Sequence, residues 1–507
     1  MSERNYQIPA TVSSDDFITH LTDMFSIKVS ESIENTCSYY DSFDWRLYRA
    51  GFALSVERDY LKLSTIRTWQ PVALQPLNEQ TTIRFWWDIP AGDVQTHLKK
   101  VLDVRALLPV FSVNQKELKI NILNQDKKTV ARVHWMEGER SDEQRAVFCI
   151  LQPVKGYVRE TDAIIQMMVA IGLTEQPATL FDWAVRQVQA NPGSYATKPQ
   201  IDLNADTPAH LAVKKILLHL LSIMQQNLPG IRDDIDTEFV HDFRVAIRRT
   251  RSALSQIKGV FTKEQVKDFR SGFSALGKAT NRLRDLDVYL LNKQTYQDML
   301  PSELQPGLNG FFDEKQQQRT VEFEHVINAL FTQGAELLLK RWNEFLNDPA
   351  VPDAPLATTP ILDVAKNIIL KSYEGVIESG DQITDDSPES ELHGLRIRCK
   401  KLRYMLEFFQ TLFPEQEMTH ALKILKNLQG CLGNFNDLAV QRRSLEHYLD
   451  EMTSRSGKAI VTAAAIGGLV SRLFAQQIQV RKQFGNEYQL FRTPEHDAIY
   501  RRLFETE

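Results

Sequence analysis

Cysteine is scarce in this chain. Cys37, Cys149, Cys399 and Cys431 are scattered through 507 residues. Their spacing fits neither a disulfide framework nor a metal site, which excludes a cysteine-stapled fold and suits a reducing cytosol. Long apolar runs are missing too. The opening residues, MSERNYQIPATV, have no apolar centre and do not read as a secretory signal. The longest apolar stretch, Ala459 to Val470, is too short to span a bilayer. With two glycines and several alanines it reads as a tightly packed helix. A net charge of −5 does not announce a polyanionic partner. Acids are nevertheless absent where it matters: Leu392 to Met405 contains none.

That acid-free stretch, Leu392 to Leu406 (LHGLRIRCKKLRYML), repeats Val240 to Leu254 (VHDFRVAIRRTRSAL) at an offset of 152 residues. His241 matches His393, Arg244 matches Arg396, Arg248 matches Lys400, and Arg251 matches Arg403. At about 100° per residue, each set of four falls within roughly 80° on a helix. Val240, Phe243, Ile247 and Leu254 lie beside the first strip, and Leu392, Leu395, Cys399, Leu402 and Leu406 beside the second. Each helix buries one face and shows a cationic ridge on the other. A solvated face pinned by salt bridges would carry acids three or four residues from the bases. Crowded cations without such acids repel one another and expect an anion from outside.

Organisation along the chain follows from texture. Thr82 to Trp87 (TIRFWW), Leu118 to Leu123, Thr129 to Trp135 and Ala146 to Leu151 read as strands, with helical pieces near Asp15 to Phe25 and Glu160 to Gly172. Residues 1–190 therefore read as an α+β domain with an antiparallel sheet. The turn-rich stretch Ala190 to Gln200 (ANPGSYATKPQ) marks a linker, placed at 191–202. From 203 to 507 strand signals nearly vanish and long amphipathic helices take over. Breakers at Asn347 to Pro360 divide this part into 203–346 and 361–507, one repeat copy on each side. A second matched pair, Leu283 to Val288 (LRDLDV) and Phe435 to Val440 (FNDLAV), keeps the same offset. Two pseudo-symmetric bundles of roughly four helices each are expected. The matched Asp285 and Asp437 are read as structural carboxylates bracing a basic helix, since no nucleophile or metal partner accompanies them.

The patterns HxxRxxxRxxR, LRDLD, HxxRxxxKxxR and LQxxLGxxND occur in that order over residues 203 to 507 and resemble the CHAD domain. The resemblance implies paired helical bundles around a positively charged cleft, binding of inorganic polyphosphate, frequent targeting to polyphosphate granules, and no catalysis. Carried over by position, the anion-binding residues are His241, Arg244, Arg248, Arg251, His393, Arg396, Lys400 and Arg403. Lys278, Arg282, Lys423 and Lys426 are added as flanking cations, although they do not align across the repeat. The first 190 residues are similar in part to a CYTH (triphosphate tunnel) domain: Tyr39-Tyr40-Asp41, then Trp45 to Leu54, then Leu107 to Phe111. That family's ExExK, whose glutamates hold a divalent metal, is replaced here by Tyr6-Gln7-Ile8-Pro9-Ala10. Later segments read Ser112 to Gln115 and Val147 to Gln152 where arginines and glutamates are expected. Hard divalent metals need carboxylate oxygens, so this domain is expected to be a degenerate, inactive tunnel, with Arg46, Arg49 and Arg58 still available to an anion.

The expectation is thus a cytoplasmic, non-catalytic polyphosphate-binding protein without cofactor or metal and without a membrane span. Guanidinium groups fork onto phosphate oxygens, and two histidines titrate near neutrality. Three rival readings compete. A metal-dependent inorganic triphosphatase lacks its carboxylates. A nucleic-acid-binding module would interleave aromatics for base stacking, and the strips hold only Phe243 and Tyr404. An HD-type phosphohydrolase could start from His241-Asp242, but the second copy has Gly394 in place of the aspartate.

Overall fold

The computed structural model describes residues 3–505 except 10, 78–81, 140–144, 189–191, 194, 198–200 and 453–456. It divides into two compact units, Met1–Tyr195 and Ala196–Glu507. Part of the expected linker falls outside the described residues.

The first unit runs β1 (Arg4–Ile8), α1 (Ser14–Thr22), β2 (Ser26–Val29), β3 (Ile33–Asp41), α2 (Arg46–Arg49), β4 (Phe52–Glu57), β5 (Tyr60–Thr65), β6 (Pro71–Pro76), α3 (Asp93–Leu102), β7 (Leu108–Leu123), β8 (Thr129–Glu139), β9 (Arg145–Pro153), α4 (Val158–Ala170), β10 (Thr174–Glu175) and α5 (Leu180–Gln187). All strand pairs are antiparallel, in the order β10-β1-β9-β8-β7-β3-β4-β5-β6, with β2 also on β7. Strand side chains alternate between faces, and helices cover both faces of the central strands. On one face Ile120, Ile122, Val133 and Trp135 pack with Phe17 of α1 and Met168 of α4. On the other, Val113, Met136, Phe148 and Ile150 pack with Phe181 and Ala184 of α5.

One expected strand does not form. Trp86–Asp88 of the TIRFWW segment is a single 3₁₀ turn. The Asp88 carboxylate accepts from the Phe85 amide at 2.8 Å and closes the turn. Trp86 donates its indole N–H to the Asp103 carbonyl at 2.8 Å, while Phe85 and Trp87 stack at 4.5 Å. The aromatic residues that suggested a strand are occupied by local packing instead.

The second unit is helical: α6 (Ala209–Arg232), α7 (Thr237–Gln256), α8 (Lys263–Ala279), α9 (Asn281–Leu291), α10 (Lys293–Asp298), α11 (Asn309–Leu330), α12 (Gln333–Asn347), α13 (Ile361–Asp381), α14 (Glu389–Phe409), α15 (Glu415–Glu451), α16 (Gly457–Phe491) and α17 (Pro494–Phe504). The starts of α13, α14 and α15 each lie 152 residues after those of α6, α7 and α8. The backbone shows the same symmetry. The Ala209 amide donates to the Thr359 carbonyl and the Ile361 amide to the Thr207 carbonyl, both at 2.9 Å, around an antiparallel bridge between Pro208 and Pro360. Every residue in this exchange has its counterpart 152 positions away. The halves are not identical, for α8, α9 and α10 of the first half correspond to the single 37-residue α15 of the second.

Among the described residues one helix, Ala459–Phe491, is long and apolar enough to cross a membrane by length and composition. Here Ala465, Ile466, Leu469 and Leu473 are fully buried against Leu308, Phe311, Phe312 and Leu445. The approach is close: a Cβ on Gly307 would lie 2.7 Å from the Val461 carbonyl oxygen.

Candidate functional site

Helix α7 starts where the Asp236 carboxylate accepts from the Glu238 amide. It buries Phe239, Val240, Phe243, Ala246 and Ile247. That anchoring turns the strip of His241, Arg244, Arg248 and Arg251 away from the core. Helix α14 follows Pro388, carries Glu389 and Glu391 in its first turn, and buries Leu392, Leu395, Cys399, Leu402 and Leu406.

The structure brings Arg248 and Arg251 of α7 and Lys400 of α14 to one cavity of about 730 Å³. Lys401 and Tyr404 of α14 line it as well, and so do Lys263, Lys267 and Arg270 of α8. Among its lining residues Glu264 is the single acid. The α8 row was not foreseen. Lys263, Lys267 and Arg270 fall within roughly 60° on a helix, but the intervening Glu264 and Asp268 disguise the row in one dimension.

The cations of the strips strain against one another. Burial first, then the charges of Arg396 and Arg248, push the Lys400 ammonium down to about 8 against the opposing pull of Asp437. Burial and the Arg248 charge push Arg244 down to about 10, although Asp285 acts to raise it. The Arg244 guanidinium donates to the Gly277 carbonyl at 3.2 Å and to the Thr280 hydroxyl at 2.9 Å, neutral acceptors that leave its charge uncancelled. The Nε atoms of Arg244, Arg248 and Arg396 are buried without a hydrogen-bond partner. A buried donor left unmade is costly.

The second strip departs from expectation in one respect. Although Leu392 to Met405 has no acid, the fold supplies two from outside that segment. Arg396 Nη2 lies 3.3 Å from Asp437 Oδ1, and Arg403 Nε lies 3.3 Å from Glu407 Oε1. Arg403 also donates to the Gln429 side chain at 2.7 Å, and His393 Nδ1 sits 2.6 Å from Asn436 Oδ1. His241 is half-buried on α7. Of the flanking cations, Lys278, Arg282, Lys423 and Lys426 are exposed and stand apart from the cavity lining, and Arg282 pairs with Glu322 at 3.7 Å.

A buried ion pair escaped the sequence reading. Arg249 of α7 donates to Glu407 of α14 at 2.7 Å, with side chains 4% and 5% exposed, and also to the Thr197 carbonyl. It fastens the two ridge helices together behind the cavity.

In the first unit, Tyr6 and Ile8 of β1 are buried apolar contacts and Gln7 accepts from Gln176. Ser112 and Asn114 bond to Ser38 and Thr36. Arg46 is paired with Asp44 at 3.0 Å, Arg49 donates to the Tyr195 carbonyl, and Arg58 sits in a turn with φ of 52°. The sheet does hold a charged network that the motifs did not indicate. Lys62 lies 3.1 Å from Glu57, and His134 lies 3.1 Å from Glu117. Burial alone would raise Glu117, but His134 and Lys62 outweigh it and hold it at about 2. Among the described residues no group of three or more His, Cys, Asp or Glu side chains is arranged to hold a metal.

Compared with known proteins, residues 215–446 match the model of the CHAD domain family. An uncharacterized protein of Mycobacterium tuberculosis is 26% identical over 262 residues, which is 50% of this chain and 47% of that protein, so the chain spans about half the length of this curated relative. The crystal structure of the CHAD domain from the plant Ricinus communis covers 61% of this chain and 96% of its own, at 24% identity and a TM-score of 0.46. PptA from Streptomyces chartreusis covers 56% of this chain and 100% of its own, at 12% identity and a TM-score of 0.45.

Proposed function

Starting from a CHAD domain at residues 215–446, we propose that the helical unit binds inorganic polyphosphate in the cavity between α7, α8 and α14. One observation carries the reading: Arg248 and Lys400 line that cavity with five further cations and a single acid, and the buried Arg248 Nε lacks an acceptor. A chain of phosphates supplies charge and acceptors at once, and each guanidinium can fork onto its oxygens. The mixture of Arg and Lys from three helices suits a flexible polymer that carries no sequence to read. A single lining aromatic, Tyr404, offers little platform for stacked bases, which disfavours nucleic acid.

The reading is a binding role without hydrolysis, in the cytoplasm and at polyphosphate granules. In support, Tyr6 and Ile8 of β1, at the place of the metal-binding glutamates of a tunnel hydrolase, are buried in an apolar cluster with Val147, Cys149 and Leu151 of β9. The first unit is read as a CYTH-like scaffold.

The test is charge reversal in the full-length protein. Arg248→Glu with Lys400→Glu should weaken long-chain polyphosphate binding by at least about a hundredfold at moderate salt, since each lost contact is worth about 1–3 kcal/mol. Wild-type affinity in that variant would refute the site.

A further inference from the structure

We propose that a second cationic cavity continues the first and lets the protein discriminate long polyphosphate chains from short ones. This rests on the polyphosphate reading and adds chain-length selection to it. The second cavity, of about 620 Å³, lies between the end of α7, α13 and α14. Its cations are Lys258, Lys371, Arg398 and Lys401, and its lining contains no acid. Ser255, Ile397 and Lys401 line both cavities, so the two basic surfaces meet there without a break. The Arg398 guanidinium lies over α13 at Gly375, where an added Cβ would come within 3.2 Å of Nη1, so the glycine leaves it room.

The internal repeat provides the control. Shifted by 152 positions, Lys401 corresponds to Arg249 and Ser255 corresponds to Glu407. There Arg249, from the first half, and Glu407, from the second, form the buried ion pair at 2.7 Å. Arg398 corresponds to Ala246, and Gly375 to Ile223, both buried. Of the two symmetry-related sites, each built from both halves, one is thus neutralised and filled. The other has Ser255 in place of the acid, a cation at Lys401, Arg398 in place of an alanine, and open space. Open space whose charged lining is all cationic is costly in self-repulsion unless an anion occupies it.

A short oligophosphate fills the first cavity alone. A long one threads onward past Lys401, and its second engagement is intramolecular, at an effective concentration set by the polymer itself. Affinity should therefore rise steeply once the chain is long enough to span both cavities.

The experiment compares tripolyphosphate with polyphosphate of about 100 units, by calorimetry, on the full-length protein and on Lys371→Glu/Arg398→Glu. Both substituted residues are exposed and line only the second cavity. The variant should bind tripolyphosphate within about twofold of wild type but lose roughly tenfold or more for the long chain. Lys258→Gln, a milder change, should lose part of the same long-chain advantage. An unchanged long-chain affinity in the double variant overturns the inference and leaves the first site standing. Equal loss for both chains, with an unchanged melting temperature, also overturns it, because the cavities would then be one site. Failure of wild type to bind either polymer removes the underlying reading instead.

Discussion

Arg248 and Lys400 occupy equivalent positions in the two halves of the repeat and line the same cavity, where the arginine helps hold the lysine ammonium down to about 8. The duplication has set like charges face to face. Such an arrangement is unfavourable for the free protein and favourable for its complex with an anion.

The pH dependence of binding follows from that lysine. Below pH 8 Lys400 is charged in both free and bound protein, so affinity is flat. A bound polyanion raises its pKa, and between pH 8 and 10 binding takes up a proton. Affinity should then fall with rising pH, by at most about tenfold per pH unit from this one group. Calorimetry in two buffers of different ionisation enthalpy should detect the uptake at pH 9, and Lys400→Arg should abolish it.

Stability should respond in the opposite sense. Lys400 is held lower in the folded chain than in the unfolded one, so the unfolded state binds more protons between about 8 and the ordinary lysine value of about 10.4. The folded state is therefore penalised below pH 8 and relieved as pH rises through that window. Lys400→Met should raise stability at pH 7 by about 1–2 kcal/mol, a gain that disappears above pH 10.5. Urea unfolding at pH 7 and pH 10.5 measures this, and the same variant should bind polyphosphate less tightly.

The α8 row gives a prediction the ridges alone do not. Lys267→Glu/Arg270→Glu should weaken long-chain binding by roughly tenfold to a hundredfold. It should also flatten the log–log salt dependence by about one unit per lost phosphate contact. Substituting the exposed Lys423 and Lys426, which stand away from the cavity, should alter neither quantity appreciably. Fluorescence titrations at four salt concentrations separate the two cases.

Breaking the hidden clamp should act on stability. Glu407→Gln leaves the Arg249 guanidinium buried opposite a neutral amide and should cost about 3–5 kcal/mol. Replacing both partners, Arg249→Met with Glu407→Leu, should recover much of that loss, because the fully buried charge is then gone and only the partly exposed Arg403 loses a partner. Thermal melts of the three proteins check this without any ligand.

What could be read in one dimension was whatever depends on local periodicity. The ridge positions, the shared offset of the helices and the strands around Ile120, Val133 and Ile150 all repeat within a few residues. The TIRFWW segment misled because strand-forming residue types there serve a turn closed by Asp88. Asp437 could be read as a carboxylate bracing a basic helix from its match with Asp285, but Glu407 went unread as a ridge partner because it lies beyond the segment being read, and only the helix turn carries it to Arg403. The α8 row was masked by Glu264 and Asp268, of which only Glu264 lines the cavity once the helix is wound. Arg249 and Glu407 are 158 positions apart, and neither announces the other.

The reciprocal amide exchange around Pro208 and Pro360 has a consequence for ancestry. Each copy completes the other's peptide groups at the point where its first long helix begins. A single copy would begin with those amides and carbonyls facing solvent, unless a second identical molecule met them. A homodimer of one half is thus the natural forerunner of this chain. Fusion made the partnership permanent and freed the copies to diverge, until of two symmetry-related sites between them one held an ion pair and the other stayed open.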